Sequence, residues 1–599
     1  MLKKSYFFVF LLFLVINLVF HPTNKREDQI NNEILSDKLF NLSKAEIRTP
    51  IYIDGNIALD AFCMGNGTDG LSWSTAHIIE GYIIDKGGTE TCIEVLNTDR
   101  FLIIKNCITK NSRSGLWSTG IKLYNCTNVN INHCKVENND YGIFLHKSHN
   151  IILSDNKAIY NNNGIHLFYS NNNSLLRNDA SHNLEHDGIY LGYSNYNNLT
   201  GNFASYNFLW GISVSGSNNF LSNNFILNNA YGINIWNSNN TVINNLVSYN
   251  NISGIIIYGT NNNISYNTIS YNRFSGISLS YYANNNILSY NVLVEDWIDI
   301  YKSFNNLIDS TNLVNGKSII YHENQIGLEI NGISNIGQLI LVNCNNSLIS
   351  NSDISITATA ILLSDCYNNT IVNNSCSYNS HYGILLRCSN NNSLSNNEAS
   401  NNQNGINIDI SNNNILIKNQ ISFNDECGII LQGSYNVLSE NQALYNNFTG
   451  ILLQNSYYNN LSNNIAMNNE YGILLWSADF SELFANNASF NNANGIQLEG
   501  SDYNIIFSNN ASYNNVYGIR LEDIPGMMCI CDSNDNEIYQ NFLYYNLGGC
   551  ISDLGVETII YDNLCVGSNI YGYFPEFLIC FGILGILILY IKFQKKRGK

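Results

Sequence analysis

The residues best suited to chemistry gather between His166 and Asp187: His166, Arg177, Asp179, His182, Glu185, His186 and Asp187, with His146 and His149 shortly before them. Glycoside hydrolysis needs two carboxyl groups at a set separation, and a lyase needs a base together with a group that acidifies the departing proton. Asp179 or Asp187 could serve as the acid and His182 or His186 as the base, with Glu185 beside them. The same residues also read as a solvated corner, and that is the stronger reading. A second group, Glu295, Asp296 and Asp299, offers the hard oxygen ligands of a calcium site, and it too reads more simply as surface. Cysteines form a third set. Cys344 and Cys366 lie 22 residues apart, and Cys529, Cys531 and Cys550 fall near the end. Disulfides or buried thiols are expected at these five, with a soft-metal site in the last group as the alternative. No CxxC pair is matched by a second, so no zinc site is predicted. No cofactor is expected apart from the calcium that residues 295–299 could hold.

The elements that must position these residues follow from a repeat. Gly-Ile recurs at Gly120, Gly142, Gly164, Gly188, Gly211, Gly232, Gly254 and Gly276, then from Gly383 through Gly405, Gly428, Gly450, Gly472 and Gly495 to Gly518. A period of about 22 residues marks a solenoid. Within Gly232 to Ser253, Ile233 and Ile235 alternate with Asn234 and Trp236, and Val242-Ile243 and Leu246-Val247 form two further short apolar runs between Asn-rich turns. Period-2 alternation without helical spacing predicts three short strands per unit. That is one rung of an all-β, right-handed, single-stranded parallel β-helix, with roughly 18 to 20 rungs in a rod roughly 90 Å long. Asn224, Asn245, Asn267, Asn396, Asn441 and Asn463 stand at one offset from the glycine, and Asn178, Asn202, Asn419, Asn486 and Asn509 one residue later. They are expected to form an amide ladder at a turn, where Asn also tolerates the left-handed conformation. Tyrosines cluster at the turns, among them Tyr206, Tyr231, Tyr249, Tyr271, Tyr382, Tyr471, Tyr513 and Tyr517, where they would stack over the core edge or line an outer face.

A net charge of −18 with 12% charged residues argues against a nucleic-acid partner, whose phosphates need a basic footprint. Residues 1–22 read as a signal peptide or signal anchor, with Lys3 and Lys4 ahead of an apolar run. Residues 574–593 read as a transmembrane helix and 594–599 as a basic cytoplasmic tail, which places the solenoid outside the cell on a single-pass anchor. Asn-x-Ser/Thr sequons such as Asn66, Asn172, Asn198 and Asn251 suit an exported glycoprotein. Between the ends, 23–49 read as a flexible leader and 50–91 as an N-terminal cap. Residues 92–307 form the first part of the β-helix, 308–338 an inserted loop or hairpin, and 339–570 the second part with a C-terminal cap.

The Gly-Ile-x-Leu rungs with Ser-x-Asn-Asn turns resemble the repeats of NosD-like proteins and of the wider group of carbohydrate-binding proteins and sugar hydrolases. The stretch Val314-Asn315-Gly316-Lys317-Ser318 and the stretch from Gly337 to Cys344 are similar to NosD-like chains, with Ser318 where those have proline. The resemblance covers roughly residues 90 to 570. It implies the parallel β-helix and a periplasmic copper-related role, although Met is scarce and no His or Met cluster marks a copper site here. The chain is also similar in architecture to pectate lyases and polygalacturonases, and its membrane-anchored form to archaeal surface proteins. The expected function is a surface or binding protein with glycan recognition. A polysaccharide-degrading lyase or hydrolase, or a NosD-like copper accessory protein, is the alternative.

Overall fold

The computed structural model describes residues 46–88, 91–113, 117–522, 533–555 and 557–567. They form a right-handed parallel β-solenoid of about 22 turns. The segments read as signal (1–22), anchor (574–593) and tail (594–599) lie outside the described residues. Among the described residues no helix is long and apolar enough to cross a membrane.

A rung is built as its sequence alternation requires. Tyr231–Ile235, Thr241–Ile243 and Leu246–Ser248 are its three strands, and each pairs in parallel with its counterpart one repeat later through Ile233↔Ile255, Val242↔Ile264 and Val247↔Ile269. Residues of one parity point inward, so Ile121, Ile143, Ile165, Ile189, Ile212 and Ile233 stack as a buried column. From Thr119–Tyr124 onward the first strand of each rung, here called the Gly-Ile strand, is the longest. Its glycine has a steric cause: a Cβ at Gly232 would lie 2.2 Å from the Gly254 carbonyl oxygen.

Asparagine closes all three corners. Asn224 donates from Nδ2 to Leu199 O (3.0 Å) and to Asn245 Oδ1 (2.9 Å), and its backbone N–H donates to the same Oδ1 (2.9 Å). The pattern repeats along Asn178, Asn202, Asn224, Asn245, Asn267 and Asn291. A second ladder runs through Asn197, Asn219 and Asn240, and a third through Asn207, Asn229, Asn250 and Asn272. Asn441 belongs to the corresponding ladder farther along, but Asn396 and Asn463 do not. They stand one residue before it in left-handed backbone (φ 54° each), and Asn397 and Asn464 carry the bonds. The turn residue before each ladder Asn is commonly left-handed, and tyrosines occupy several of these places. Tyr249 and Tyr271 (φ 56° and 55°) stack at 5.2 Å and 9°, so these rings spend their faces on one another.

The boundaries differ from those the sequence suggests. Rung strands already begin at Glu46–Ile47 and Ile51–Asp54, with a short helix, Asn56–Phe62, burying Leu59 over the first rung. Residues 308–338 are not a protrusion. Leu313–Val314 turns through Asn315-Gly316 (φ 48° and 76°) and pairs antiparallel with the start of Lys317–Glu323. Later strands stack in parallel on the reversed one. Reversal exchanges the faces: Leu339, Leu341, Ile361 and Leu363 enter a second core, while the alternate Ile340, Val342, Leu362 and Leu385 seal the end of the first. Two solenoids thus share one junction.

Removing a ladder side chain should cost far more than removing its corner neighbour. Asn245→Ala strands the partners of five bonds and should destabilise the full chain by roughly 2–4 kcal/mol, whereas Asn244→Ala, at an exposed left-handed corner, should cost about 1 kcal/mol. Urea denaturation of the two variants decides between them, and equal losses would contradict the ladder's role.

Candidate functional site

Strand length decides where chemistry can sit. Three-residue strands such as Thr241–Ile243 turn two residues outward, in places stacked as a column such as Phe484, Phe507, Tyr539 and Tyr561, whereas the longer Gly-Ile strands carry wider outward faces. In the first solenoid one column runs Glu94, Lys122, Phe144, His166, Tyr190 and Ser213, and beside it run Tyr124, His146, Phe168 and Gly192. Lys122 pairs with Glu94 at 2.8 Å. Phe144 meets His166 edge-on at 5.1 Å, and His166 meets Tyr190 at 4.7 Å. Trp117 lies flat across Tyr141 (5.5 Å, 13°) and Phe144 (5.7 Å, 15°) and leaves 50% of its surface exposed. Offset stacking of this kind favours a rigid aromatic platform. Burial, with the neighbouring His186 and His146, pushes the His166 imidazole down to about 3, so it is neutral at physiological pH, and its buried Nδ1 has no hydrogen-bond partner.

The five residues expected to form a catalytic group are divided between faces. Asp179 sits in the third strand position between Lys157 and Phe203, its carboxyl raised by burial. His182 occupies a left-handed corner (φ 60°) between Tyr160 and Tyr206, and burial lowers its imidazole. Glu185 and His186 are exposed. They lie close enough to act electrostatically on Asp140, whose carboxyl is raised chiefly by burial. Asp187 is buried and accepts from the Trp210 N–H at 3.2 Å, and burial pushes its carboxyl up to about 7. No hydrogen bond or ion pair joins any two of the five among the described residues.

Glu295, Asp296 and Asp299 do not converge either. Glu295 exchanges bonds with the Asn315 side chain. Asp296 takes the place of an asparagine at the end of a ladder, accepting from Asn272 Nδ2 at 2.8 Å, and burial pushes its carboxyl up to about 7. Asp299 is paired with Arg387, which also bonds Asp409 at 2.8 Å. Among the described residues no three His, Cys, Asp or Glu side chains gather as a metal site would require. Cys344 and Cys366 are buried free thiols on adjacent rungs, both pushed up by burial, with the Cys344 N–H directed at the Cys366 sulfur. Cys550 is bonded to Cys565, and Cys529 and Cys531 lie outside the described residues. The platform of Trp117, Tyr141, Phe144 and Tyr190 escapes a search for charged residues. Its signal is aromatic residues flanking successive Gly-Ile glycines: Phe144 and Tyr190 two residues after Gly142 and Gly188, Tyr141 one before Gly142 and Trp117 three before Gly120.

Comparison with known proteins divides at the junction. Residues 53–228 and 182–297 match the family model described as periplasmic copper-binding protein (NosD), and residues 295–409 and 338–490 match that of the right-handed β-helix region. No curated protein matches the chain. Among solved structures it is similar to a periplasmic alginate epimerase, AlgG (11% identity, 87% of this chain, 86% of that chain, TM-score 0.27). It is also similar to the PL6 family alginate lyase AlyGC (9%, 87%, 100%, 0.27) and to the tailspike of E. coli bacteriophage HK620 in complex with a pentasaccharide (10%, 66%, 71%, 0.30). At these scores the likenesses carry no further argument.

The raised carboxyl of Asp296 has a consequence for stability. Its proton is held more tightly folded than unfolded, so its favourable contribution is complete below about pH 4 and is lost as the pH rises through about 7. Asp296→Asn, which restores the ladder amide, should stabilise the protein at pH 8 by up to roughly 4 kcal/mol and by much less at pH 5. Melting curves at the two pH values test this, and equal gains at both would contradict it.

Proposed function

We propose, for a chain whose two halves match NosD and right-handed β-helix models in turn, a membrane-anchored cell-surface solenoid that binds glycans on the outer face of its Gly-Ile sheet. One observation carries this reading: Trp117 lies flat on Tyr141 and Phe144 with half its surface open. A sugar ring offers an apolar C–H face that such a platform covers and hydroxyls that need polar neighbours. Asp140, Glu185, His186 and His146 supply these around the platform. Extracellular placement and the anchor rest on the sequence, on the basic-then-apolar residues 1–22 and on 574–599.

A hydrolase reading has Asp187 in its favour, because a carboxyl near 7 suits a general acid at neutral pH. It lacks a second carboxyl beside Asp187. The copper reading rests on the name of a family model.

Trp117→Ala should weaken binding of the full chain to its best ligand on a glycan array by about tenfold, or ~1.4 kcal/mol, with the circular dichroism spectrum unchanged. An unaltered array profile would remove the platform from the binding site. Product analysis on the same samples tests hydrolysis, and any cleavage abolished by Asp187→Asn would replace the binding reading with the enzymatic one.

A further inference from the structure

The junction sets the two Gly-Ile faces against each other. Ile298–Tyr301, the last Gly-Ile strand of the first solenoid, lies on the opening strands of the second. The Gln338 side chain donates to the Ile298 carbonyl and accepts from its N–H, at 3.0 Å each. Trp297 packs edge-on against Tyr382 at 5.8 Å, and His381 Nε2 lies 3.3 Å from the Glu295 carbonyl. Asp299 points outward from its own sheet, since Ile298 and Ile300 belong to the first core. Arg387 points outward from its sheet, since Ile384 and Leu386 belong to the second. These two outward side chains form an ion pair. The outer faces are therefore two walls of one re-entrant corner, with Asp299, Arg387 and Asp409 at its vertex.

The walls carry similar chemistry at increasing distance from the vertex. On the first, Ser278 and Ser280 give way to Tyr258 and Trp236, which stack at 4.3 Å, and Trp236 is 49% exposed. On the second, Gln432 bonds Gln454 at 2.7 Å, and half-buried Trp476 follows one rung later. At one rung per roughly 4.8 Å, the two tryptophans stand roughly 14 and 19 Å from the vertex. Arg387 is paired with two carboxylates, and Glu426 acts electrostatically on the neighbouring Tyr382 together with them, so a polyanion would meet repulsion.

We propose that this corner is a second binding site, for an uncharged glycan chain that bridges Trp236 and Trp476. The site rests on the glycan-binding reading given above and adds to it a location and a ligand class. The test is calorimetric titration of the full chain with neutral hexasaccharides of glucose, mannose and N-acetylglucosamine, and with hexagalacturonate. Trp236→Ala and Trp476→Ala should each weaken binding of the best neutral hexasaccharide about tenfold, and hexagalacturonate should bind at least tenfold more weakly than it. Trp236 is exposed, so its variant should fold even if the Trp476 variant does not. Binding lost only in the Trp117→Ala variant, or tighter binding of hexagalacturonate, would overturn the corner while leaving the glycan reading intact. No binding of any glycan by the wild type would overturn both.

Discussion

Everything in this molecule depends on one interaction, the hydrogen bond passed from an asparagine side chain to the asparagine of the next rung. A parallel β-helix must turn three times per rung, and at each turn backbone N–H groups point along the axis with no strand to receive them. Buried donors left unpaired are costly. The ladder amide meets this need by accepting from the N–H of the rung before while donating to a core-strand carbonyl and to the next amide. Because every link spans one repeat, the ladder also fixes the register in which the isoleucine columns meet.

That constraint dictates where function can be placed. Corner positions are taken by amides and by left-handed residues, and the interior by aliphatic side chains. The outward columns of the Gly-Ile strand are free of both duties, and there the chain carries tryptophan, tyrosine, histidine, glutamine and paired charges. The Asn-Gly hairpin at residues 315–316 reverses the strand direction and exchanges the two faces of the sheet. Residues that would have pointed to solvent, such as Leu362 and Leu385, instead close the first solenoid. The reversal thereby turns two separate outer faces toward each other.

Much of this was legible in the sequence, and the misreadings have physical causes. The glycine period gave the rung and its strands, because only a residue without Cβ fits against the carbonyl above it. One asparagine column was visible, but three exist. The turn after the Gly-Ile strand varies in length, so an offset counted from glycine slips by one residue, as at Asn396 and Asn463. Asp179 or Asp187 as acid and His182 or His186 as base looked like one group because they are close in sequence, yet the corner at Asn183 divides them between different sides. Asp296, read as surface or a calcium ligand, is a ladder residue. The Asn315-Gly316 pair is a strong hairpin signal and a hairpin was one of the two forms expected there; what stayed hidden is that its second strand starts a new parallel sheet. The aromatic platform was missed because its members are uncharged and come from three different rungs.

The central claim is that ligand recognition belongs to the outer faces of the Gly-Ile strands. A crystal structure of the full chain soaked with its best neutral oligosaccharide tests it most directly. The account predicts sugar density against Trp117 or in the corner between Trp236 and Trp476, with the ladders unchanged. Density confined to the faces built from the three-residue strands, or to either end of the rod, would contradict it.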